Sequence, residues 1–397
     1  MSYTEKRFKI KTLNNIDANA LSKLTHEFTL NHSDSEADAI IVRSADMHQM
    51  DLPENLKFVG RAGSGVNNIP IDELTERGIV VANAPGANAN GVKELVLSAL
   101  IMSSRNIESA LEWTQTLIGE SDIGSKVEAG KKQFVGPELA HKKIGIIGLG
   151  AIGVLVANMC LSLGMDVYGY DPYLSVQHAL GLNPSTKTQY DINYIMQNCD
   201  YITLHIPYND STKNYLNAEL LAEAKKGQII INCARGGLVD LNALEDAINN
   251  GSIGKYVVDF PDEKTLTMKN TINIPHLGAS TPESEANAAN MVIDQVMDYL
   301  KNGNIHHSVN FPTINFGPIQ TVCRITVLHH NIPNMIGQIT HVLSQHNLNI
   351  NRLTNKPRNG WACTMIDLDN DIEENDKIAL ENIEGVVRVR HLKPSTN

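Results

Sequence analysis

Two residues of this chain stand where a carboxylate and a proton could be handled together. Arg235 lies in Asn232-Cys233-Ala234-Arg235-Gly236-Gly237, and His276 in Pro275-His276-Leu277-Gly278. A guanidinium grips a carboxylate through two parallel N–H···O bonds. An imidazole titrates near neutrality and can take a proton from a hydroxyl group. Between them runs Val258-Asp259-Phe260-Pro261-Asp262-Glu263. A carboxylate set behind the histidine would raise its pKa and fix its tautomer. Each segment follows an apolar run that reads as a strand, and open α/β sheets place their ligands at strand ends.

Upstream, Gly148-Leu149-Gly150-Ala151-Ile152-Gly153 has GxGxxG spacing, with an apolar run before it and helical periodicity after it. The first glycine permits a tight turn, the second lets backbone approach a pyrophosphate, and the third lets the helix pack close to the sheet. The helix N-terminus offers unpaired N–H groups to the phosphates. Asp171 follows a second apolar run, Val167-Tyr168-Gly169-Tyr170. A carboxylate there accepts from both adenosine ribose hydroxyls and repels a 2′-phosphate, which predicts NAD over NADP.

These residues need a sheet to hold them. Residues 144–260 alternate near-continuous apolar strands with helices, at Ile144–Ile147, Val167–Tyr170, Tyr201–Leu204, Ile229–Asn232 and Tyr256–Asp259. That pattern predicts a parallel sheet covered on both faces. Residues 1–90 carry a similar, shorter alternation, with strands at Ala39–Val42, Lys57–Gly60 and Gly78–Ala82. The spacing from Val92 to Leu117 predicts one long helix, and another is predicted around Ala286–Leu300. Beyond an Asn-, Pro- and His-rich stretch, the tail has β-α-β-β-α-β order, which predicts a small ferredoxin-like domain. The fold class is therefore α/β, with two doubly wound Rossmann-like domains, one of them discontinuous, and a C-terminal α+β domain.

The 397 residues carry 33 basic and 44 acidic side chains, a formal charge of −11. That argues against nucleic-acid or membrane-surface binding, which need a basic face. Five cysteines without CxxC spacing make a disulfide framework or a metal site unexpected and fit a reducing cytoplasm. The N-terminus lacks the apolar core of a signal peptide. The uncharged run Ile144–Met165 is long enough to suggest a membrane span, but its five glycines divide it into strand, turn and helix.

Several motifs in one order resemble the D-isomer-specific 2-hydroxyacid dehydrogenases over nearly the whole chain. They are Arg61-Ala62-Gly63-Ser64-Gly65-Val66-Asn67-Asn68, Asn83-Ala84-Pro85-Gly86, the glycine loop, the Arg235 and His276 segments, and Ser308-Val309-Asn310-Phe311-Pro312. Within that family the chain most resembles the members that act on 3-phospho-D-glycerate. The resemblance implies a substrate-binding domain at 1–91 and 278–312, an NAD-binding domain at 92–277, a linker at 313–320 and a regulatory domain at 321–397. It implies a cofactor set of Gly148, Gly150, Ala151, Ile152, Gly153, Asp171, Pro207, Cys233, Ala234, Asp259, His276 and Gly278. Arg235 would orient the substrate and His276 would act as acid and base. Ser64 and Gly65 would receive the substrate carboxylate. Arg43 and Arg61, each at a strand end, would add the positive charge that a phosphate requires.

The family run after the aspartate is one residue longer than Asp259-Phe260-Pro261-Asp262-Glu263-Lys264. Glu263 is assigned as the histidine's partner, with Asp262 as the alternative; an ungapped register would put Lys264 there. The tail resembles an ACT domain, a small-molecule sensor. His329, Asn331 and Asn349 match the serine-contacting positions of feedback-regulated relatives, and Asn334 replaces their usual glycine. The resemblance thus implies oxidation of 3-phosphoglycerate by NAD at the entry to serine synthesis, L-serine as effector, and a homodimer or homotetramer. The alternatives are a glyoxylate or hydroxypyruvate reductase of the same family, and a catalytically silent NAD-sensing scaffold.

Overall fold

The computed structural model describes residues 7–30 and 36–394. The chain forms two compact units, Met1–Ala87 with Glu285–Asn397, and Asn88–Ser284. The first unit opens with β1 (Phe8–Leu13), β2 (Phe28–Leu30), β3 (Ala39–Val42), β4 (Phe58–Arg61) and β5 (Val80–Ala82). They form one sheet in the order β2-β1-β3-β4-β5, all parallel. Every residue of β3 is buried, as a strand covered on both faces must be. Each Ile or Val so buried contributes about 1.5–3 kcal/mol.

The helix Pro282–Asn302 lies on this sheet through Val292, Ile293, Val296, Tyr299 and Leu300, an apolar stripe with helical spacing. The approach is close at Gly60, where a Cβ would meet Val292 Cγ1 at 2.4 Å. After the helix the chain returns to the edge of β5. Val309 N–H donates to the Val81 carbonyl at 2.8 Å. The Asn310 carboxamide accepts from Val81 N–H and donates to the Ile79 carbonyl and to Thr75 Oγ1, each at 2.9 Å. The Ser308–Pro312 motif thus closes a sheet edge.

The second unit carries β6 (Lys143–Ile147), β7 (Asp166–Tyr170), β8 (Lys187–Thr188), β9 (Tyr201–Leu204), β10 (Gln228–Asn232), β11 (Ile253–Val258) and β12 (Thr271–Asn273). Their order is β12-β11-β10-β9-β6-β7-β8, again all parallel. The chain enters at β6, runs outward to β8, and comes back to β9, so the strand order reverses between β6 and β9. The helix Ala89–Arg105 buries Val92, Val96, Ala99 and Leu100. The single helix expected from Val92 to Leu117 is in fact two. Asn106 takes a left-handed φ of 49°, which asparagine tolerates, and a separate helix Ile107–Gln115 follows. Nothing in that second helix is buried.

The rest of the first unit is a four-stranded antiparallel sheet. Its strands are β13 (Cys323–His330), β14 (Ile350–Arg358), β15 (Trp361–Leu368) and β16 (Val386–Leu392), in the order β14-β15-β13-β16. Helices Met335–Gln345 and Glu374–Glu381 complete the β-α-β-β-α-β order. The five cysteines are all free and buried. Burial pushes the thiol pKa up to about 11 for Cys323 and to about 12 for Cys160, Cys199, Cys233 and Cys363.

Arginines fasten this tail sheet to the rest of its unit. Arg390 donates to the Tyr299 and Leu300 carbonyls at 2.7 Å, and Arg324 to the Asn302 carbonyl at 2.9 Å. Those are the last carbonyls of the helix Pro282–Asn302, where its dipole is negative. Arg324 is fully buried and pairs with Asp367 through two bonds, at 2.6 and 3.0 Å. The Phe316 ring, inside the expected linker, has the Arg352 guanidinium at 3.7 Å and that of Arg324 at 5.3 Å. Replacing Arg324 with Met strands a buried carboxylate and should cost about 3–5 kcal/mol, read as a lower urea midpoint. Adding Asp367→Leu should recover most of that loss.

Candidate active site

Six loops leave the parallel sheet of the second unit at the same edge, because all its strands point one way. After β6 comes the glycine loop, after β7 Asp171, after β9 His205 and Pro207. After β10 come Cys233, Ala234 and Arg235, after β11 Asp259 and Glu263, and after β12 His276 and Gly278. The predicted cofactor and catalytic residues of this unit are therefore brought to one edge, across the point where the strand order reverses.

The glycine loop is built for close approach. Gly148 has φ 93°, and a Cβ there would sit 2.6 Å from the His205 carbonyl oxygen. A Cβ at Gly153 would sit 1.9 Å from the Gly148 oxygen, so the helix Ala151–Ser162 can start only on a glycine. Gly150 is the N-cap, without a capping side chain, and nothing lies within 4 Å of the Cβ it lacks. The first-turn N–H groups of Ala151 and Ile152 thus open onto free space, which fits a pyrophosphate. Asp171 accepts from Leu149 N–H and from Tyr173 N–H, both at 2.8 Å. Its carboxylate is thereby fixed beside the loop with lone pairs to spare for ribose hydroxyls.

The turn carrying Arg235 is organised by a residue the sequence reading quoted but gave no role. Asn232 is fully buried. Its Oδ1 accepts from Ala234 N–H at 3.1 Å and Arg235 N–H at 3.3 Å, and its Nδ2 donates to the Arg235 carbonyl at 2.8 Å and to Tyr256 Oη at 3.1 Å. One side chain thus satisfies the turn from inside. The Arg235 side chain is exposed, with one hydrogen bond at 2.7 Å to the Ala234 carbonyl.

Arg235 and His276 meet on Phe260. The His276 ring centroid is 4.5 Å from that of Phe260, and Arg235 Cζ is 5.6 Å from the same ring. Phe260 is the other functional residue the sequence reading missed; an aromatic inside a carboxylate-rich run was its only signal. His276 holds a left-handed φ of 56°, a conformation that costs about 1–3 kcal/mol and persists only where neighbours enforce it. The enforcing group is Asp259, which is 1% exposed and accepts from Leu277 N–H at 2.7 Å and Gly278 N–H at 2.9 Å. Burial raises its pKa, while those two donors and the nearby imidazole oppose the rise.

Glu263 and Asp262, expected as the histidine's carboxylate partner, make no hydrogen bond or ion pair to His276 among the described residues. Asp262 is spent on its own turn, accepting from Thr265 N–H at 2.8 Å, and Glu263 is exposed. Lys264 ties that turn to the helix Leu241–Asn249 through Asn242 and Glu245, at 2.5 and 2.9 Å. The shortened segment is thus anchored to a helix. The carboxylate that the His276 imidazole helps to hold ionised, against burial, is that of Asp259. Burial lowers the pKa of His205 to about 3 and raises that of Cys233 to about 12, so neither changes charge near neutrality.

The remaining predicted residues lie in the first unit. Arg61 Nε donates to the Arg43 carbonyl at 3.1 Å, and the Arg43 guanidinium pairs with Glu285. The Ser64–Gly65 loop is pinned by Asn83, whose Nδ2 donates to the Ser64 carbonyl at 2.6 Å. In the tail, His329 is buried, its Nδ1 donating to the His330 carbonyl at 2.7 Å and its Nε2 lying 2.9 Å from Thr364 Oγ1. Asn331 and Asn349 are exposed, and Asn349 donates to Asp369 at 2.6 Å. Asn334 adopts φ 64°, the left-handed geometry that a glycine would supply.

Residues 97–278 match the profile of the D-isomer specific 2-hydroxyacid dehydrogenase, NAD binding domain. The D-3-phosphoglycerate dehydrogenase of Methanocaldococcus jannaschii is 36% identical over 313 residues, which is 77% of this chain and 57% of that protein. The Bacillus subtilis enzyme of the same name is 34% identical over 76% of this chain and 56% of its own length. The chain thus spans little more than half the length of these relatives. The Haemophilus influenzae enzyme of that name is 32% identical over 86% of this chain and 83% of its own. Among solved structures, the NAD⁺-bound 3-phosphoglycerate dehydrogenase of Entamoeba histolytica superposes with a TM-score of 0.59 at 26% identity, over 77% of this chain and 99% of that one. The D-mandelate dehydrogenase of Rhodotorula graminis, at 19% identity and TM-score 0.64 over 76% of this chain and 96% of its own, shares the fold.

Replacing Asn232 with Ala should leave the Arg235 turn unsatisfied and cost about 1–3 kcal/mol of stability. Faster hydrogen exchange at the Ala234 and Arg235 amides would report it, with the glycine-loop amides unchanged.

Proposed function

The chain belongs to the D-isomer specific 2-hydroxyacid dehydrogenases, and on that premise we propose that it oxidises 3-phospho-D-glycerate to 3-phosphohydroxypyruvate with NAD⁺, the entry to L-serine synthesis. The observation that carries the reading is that Arg235 and His276 both lie against one Phe260 ring. It occurs at the sheet edge that also bears the glycine loop and Asp171. The names of the relatives supply the substrate.

When bound, NAD⁺ takes the hydride that leaves C2 of the hydroxy acid. His276 accepts the C2 hydroxyl proton as that hydride departs, so the C2–O bond becomes a carbonyl and the charges balance. In the reverse direction the imidazolium returns the proton. Arg235 holds the carboxylate and the developing carbonyl oxygen. Asp259 fixes the loop that carries His276 and would hold the nicotinamide amide. Ser64 and Gly65 receive the carboxylate, while Arg43 and Arg61 receive the phosphate. Arg43 must then exchange Glu285 for the phosphate, a dianion that outcompetes a single exposed carboxylate.

The tail acts as an ACT domain that takes L-serine at His329, Asn331 and Asn349. Support comes from its β-α-β-β-α-β order and the glycine-like Asn334. Burial lowers the His329 pKa, so the ring meets a zwitterion as a neutral group. Self-association, as a homodimer or homotetramer, draws on the unburied segment after Asn106, where Leu111, Ile118 and Val135 are 61%, 78% and 78% exposed. A cytoplasmic location agrees with the buried thiols. Among the described residues no helix is long and apolar enough to cross a membrane. A second reading, an NAD sensor without turnover, draws on the shortened segment that carries Glu263.

Following NADH absorbance with phosphohydroxypyruvate, hydroxypyruvate and glyoxylate separates these readings. Phosphohydroxypyruvate should win in kcat/KM, and His276→Ala should lower kcat by about 10²–10⁴-fold. Arg43→Ala should raise KM for the phosphorylated substrate and leave NADH binding alone. No turnover with any of the three would leave the sensor reading. Millimolar L-serine should inhibit the wild-type chain, and a flat titration would remove the regulatory role.

A further inference from the structure

One cavity belongs to neither set of predicted site residues. It lies inside the first unit, between the N-terminal sheet and the tail sheet, and measures about 590 Å³, a size typical of small-molecule pockets. Lys57, Lys301, Lys377, Arg390 and Lys393 line it, against two carboxylates, Glu27 and Asp38. That is a local cationic excess in a chain of formal charge −11. Both carboxylates are engaged, Asp38 by Lys57 at 2.5 Å and Glu27 by Lys301. Lys377 has only long contacts, 3.4 and 3.6 Å, to Glu381 and Glu374. Lys393 leans on Asp371 from outside the cavity.

Arg390 makes this a built wall. It is 6% exposed, and the bonds that hold its guanidinium go to backbone carbonyls of Tyr299 and Leu300, so among the described residues no carboxylate pairs with it. Its charge reaches Lys57. Burial lowers the Lys57 pKa, Asp38 opposes that, and Arg390 and Arg388 push it lower again. A second cavity of about 420 Å³ shares Lys57, Lys377 and Arg390 and adds Arg388. Cations gathered this closely repel one another, and lysine and guanidinium groups offer only donors. An oxyanion with several charges would accept from both walls and relieve the repulsion.

We propose that this cavity binds a small multivalent oxyanion, a phosphate ester or a polycarboxylate, which clasps the tail sheet to the N-terminal sheet. The site is separate from the proposed substrate phosphate site at Arg43. Binding to the folded chain alone raises its thermal midpoint, with the logarithm of the anion concentration once that exceeds the Kd.

The test is thermal unfolding of the full chain in rising potassium phosphate or citrate, each against potassium chloride at equal ionic strength. Three variants accompany the wild type: Lys377→Gln with Lys393→Gln, Lys301→Gln, and Arg43→Ala. The two lysines of the double variant are solvent-exposed enough to be replaced without opening a core, and Lys301→Gln provides an independent probe. The expected result is a logarithmic rise in midpoint for the wild type and for Arg43→Ala. The anion concentration that gives a set rise should increase at least about tenfold in the double variant, as charge-assisted bonds are removed, and also increase in Lys301→Gln. The stronger of phosphate and citrate identifies the source of the oxyanion. An equal response to chloride, no response, or a response lost in Arg43→Ala and kept in both lysine variants would overturn the proposal.

Discussion

Seven strands running in one direction must release the chain at one edge of their sheet, and the reactive groups of the second unit follow from that constraint. The glycine loop, Asp171, Arg235, Asp259 and His276 are distant in sequence, yet each sits just past a strand. Fine placement is then made by buried acceptors. Asn232 shapes the Arg235 turn, and Asp259 holds the two N–H groups that follow His276. The left-handed backbone of His276 is the cost of presenting its ring to Phe260.

Much of this was readable in advance because parallel strands are apolar throughout. Ala39–Val42 and Tyr201–Leu204 are strands over the expected residues, and the neighbouring ones shift by a residue or a few. What was hidden lacks that signature. β14 carries Pro357 and a polar, half-exposed pattern, as a sheet edge does, and only the β-α-β-β-α-β order of the tail places a strand there. The expected long helix contains Asn106, and nothing in apolar spacing reveals a left-handed residue. Glu263 is placed by counting along the chain. Lys264 ties the same turn to a helix that precedes it by about twenty positions, a contact that counting does not register.

Charged residues show the same divide. Arg324 and Arg390 sit inside strands that otherwise read as apolar, and their purpose appears only when the end of a helix is brought to them. Guanidinium groups meeting the last carbonyls of Pro282–Asn302 satisfy acceptors that the helix cannot satisfy itself. The tail domain is thereby fastened to that helix by polar contacts, beside an apolar cluster in which Leu328, Cys363 and Met365 pack with Phe58, Tyr299 and Phe311, and a stretch expected to act as a linker is packed, with Ile314 and Ile319 buried.

Sulfur in this chain is shut away. All five thiols are interior, and burial keeps each protonated far above physiological pH. The thiolate is the form that attacks peroxides, disulfides and maleimides. Thiol-directed reagents therefore find no handle on the folded molecule, and a thiol-reactive dye becomes a counter of chains that have lost their fold.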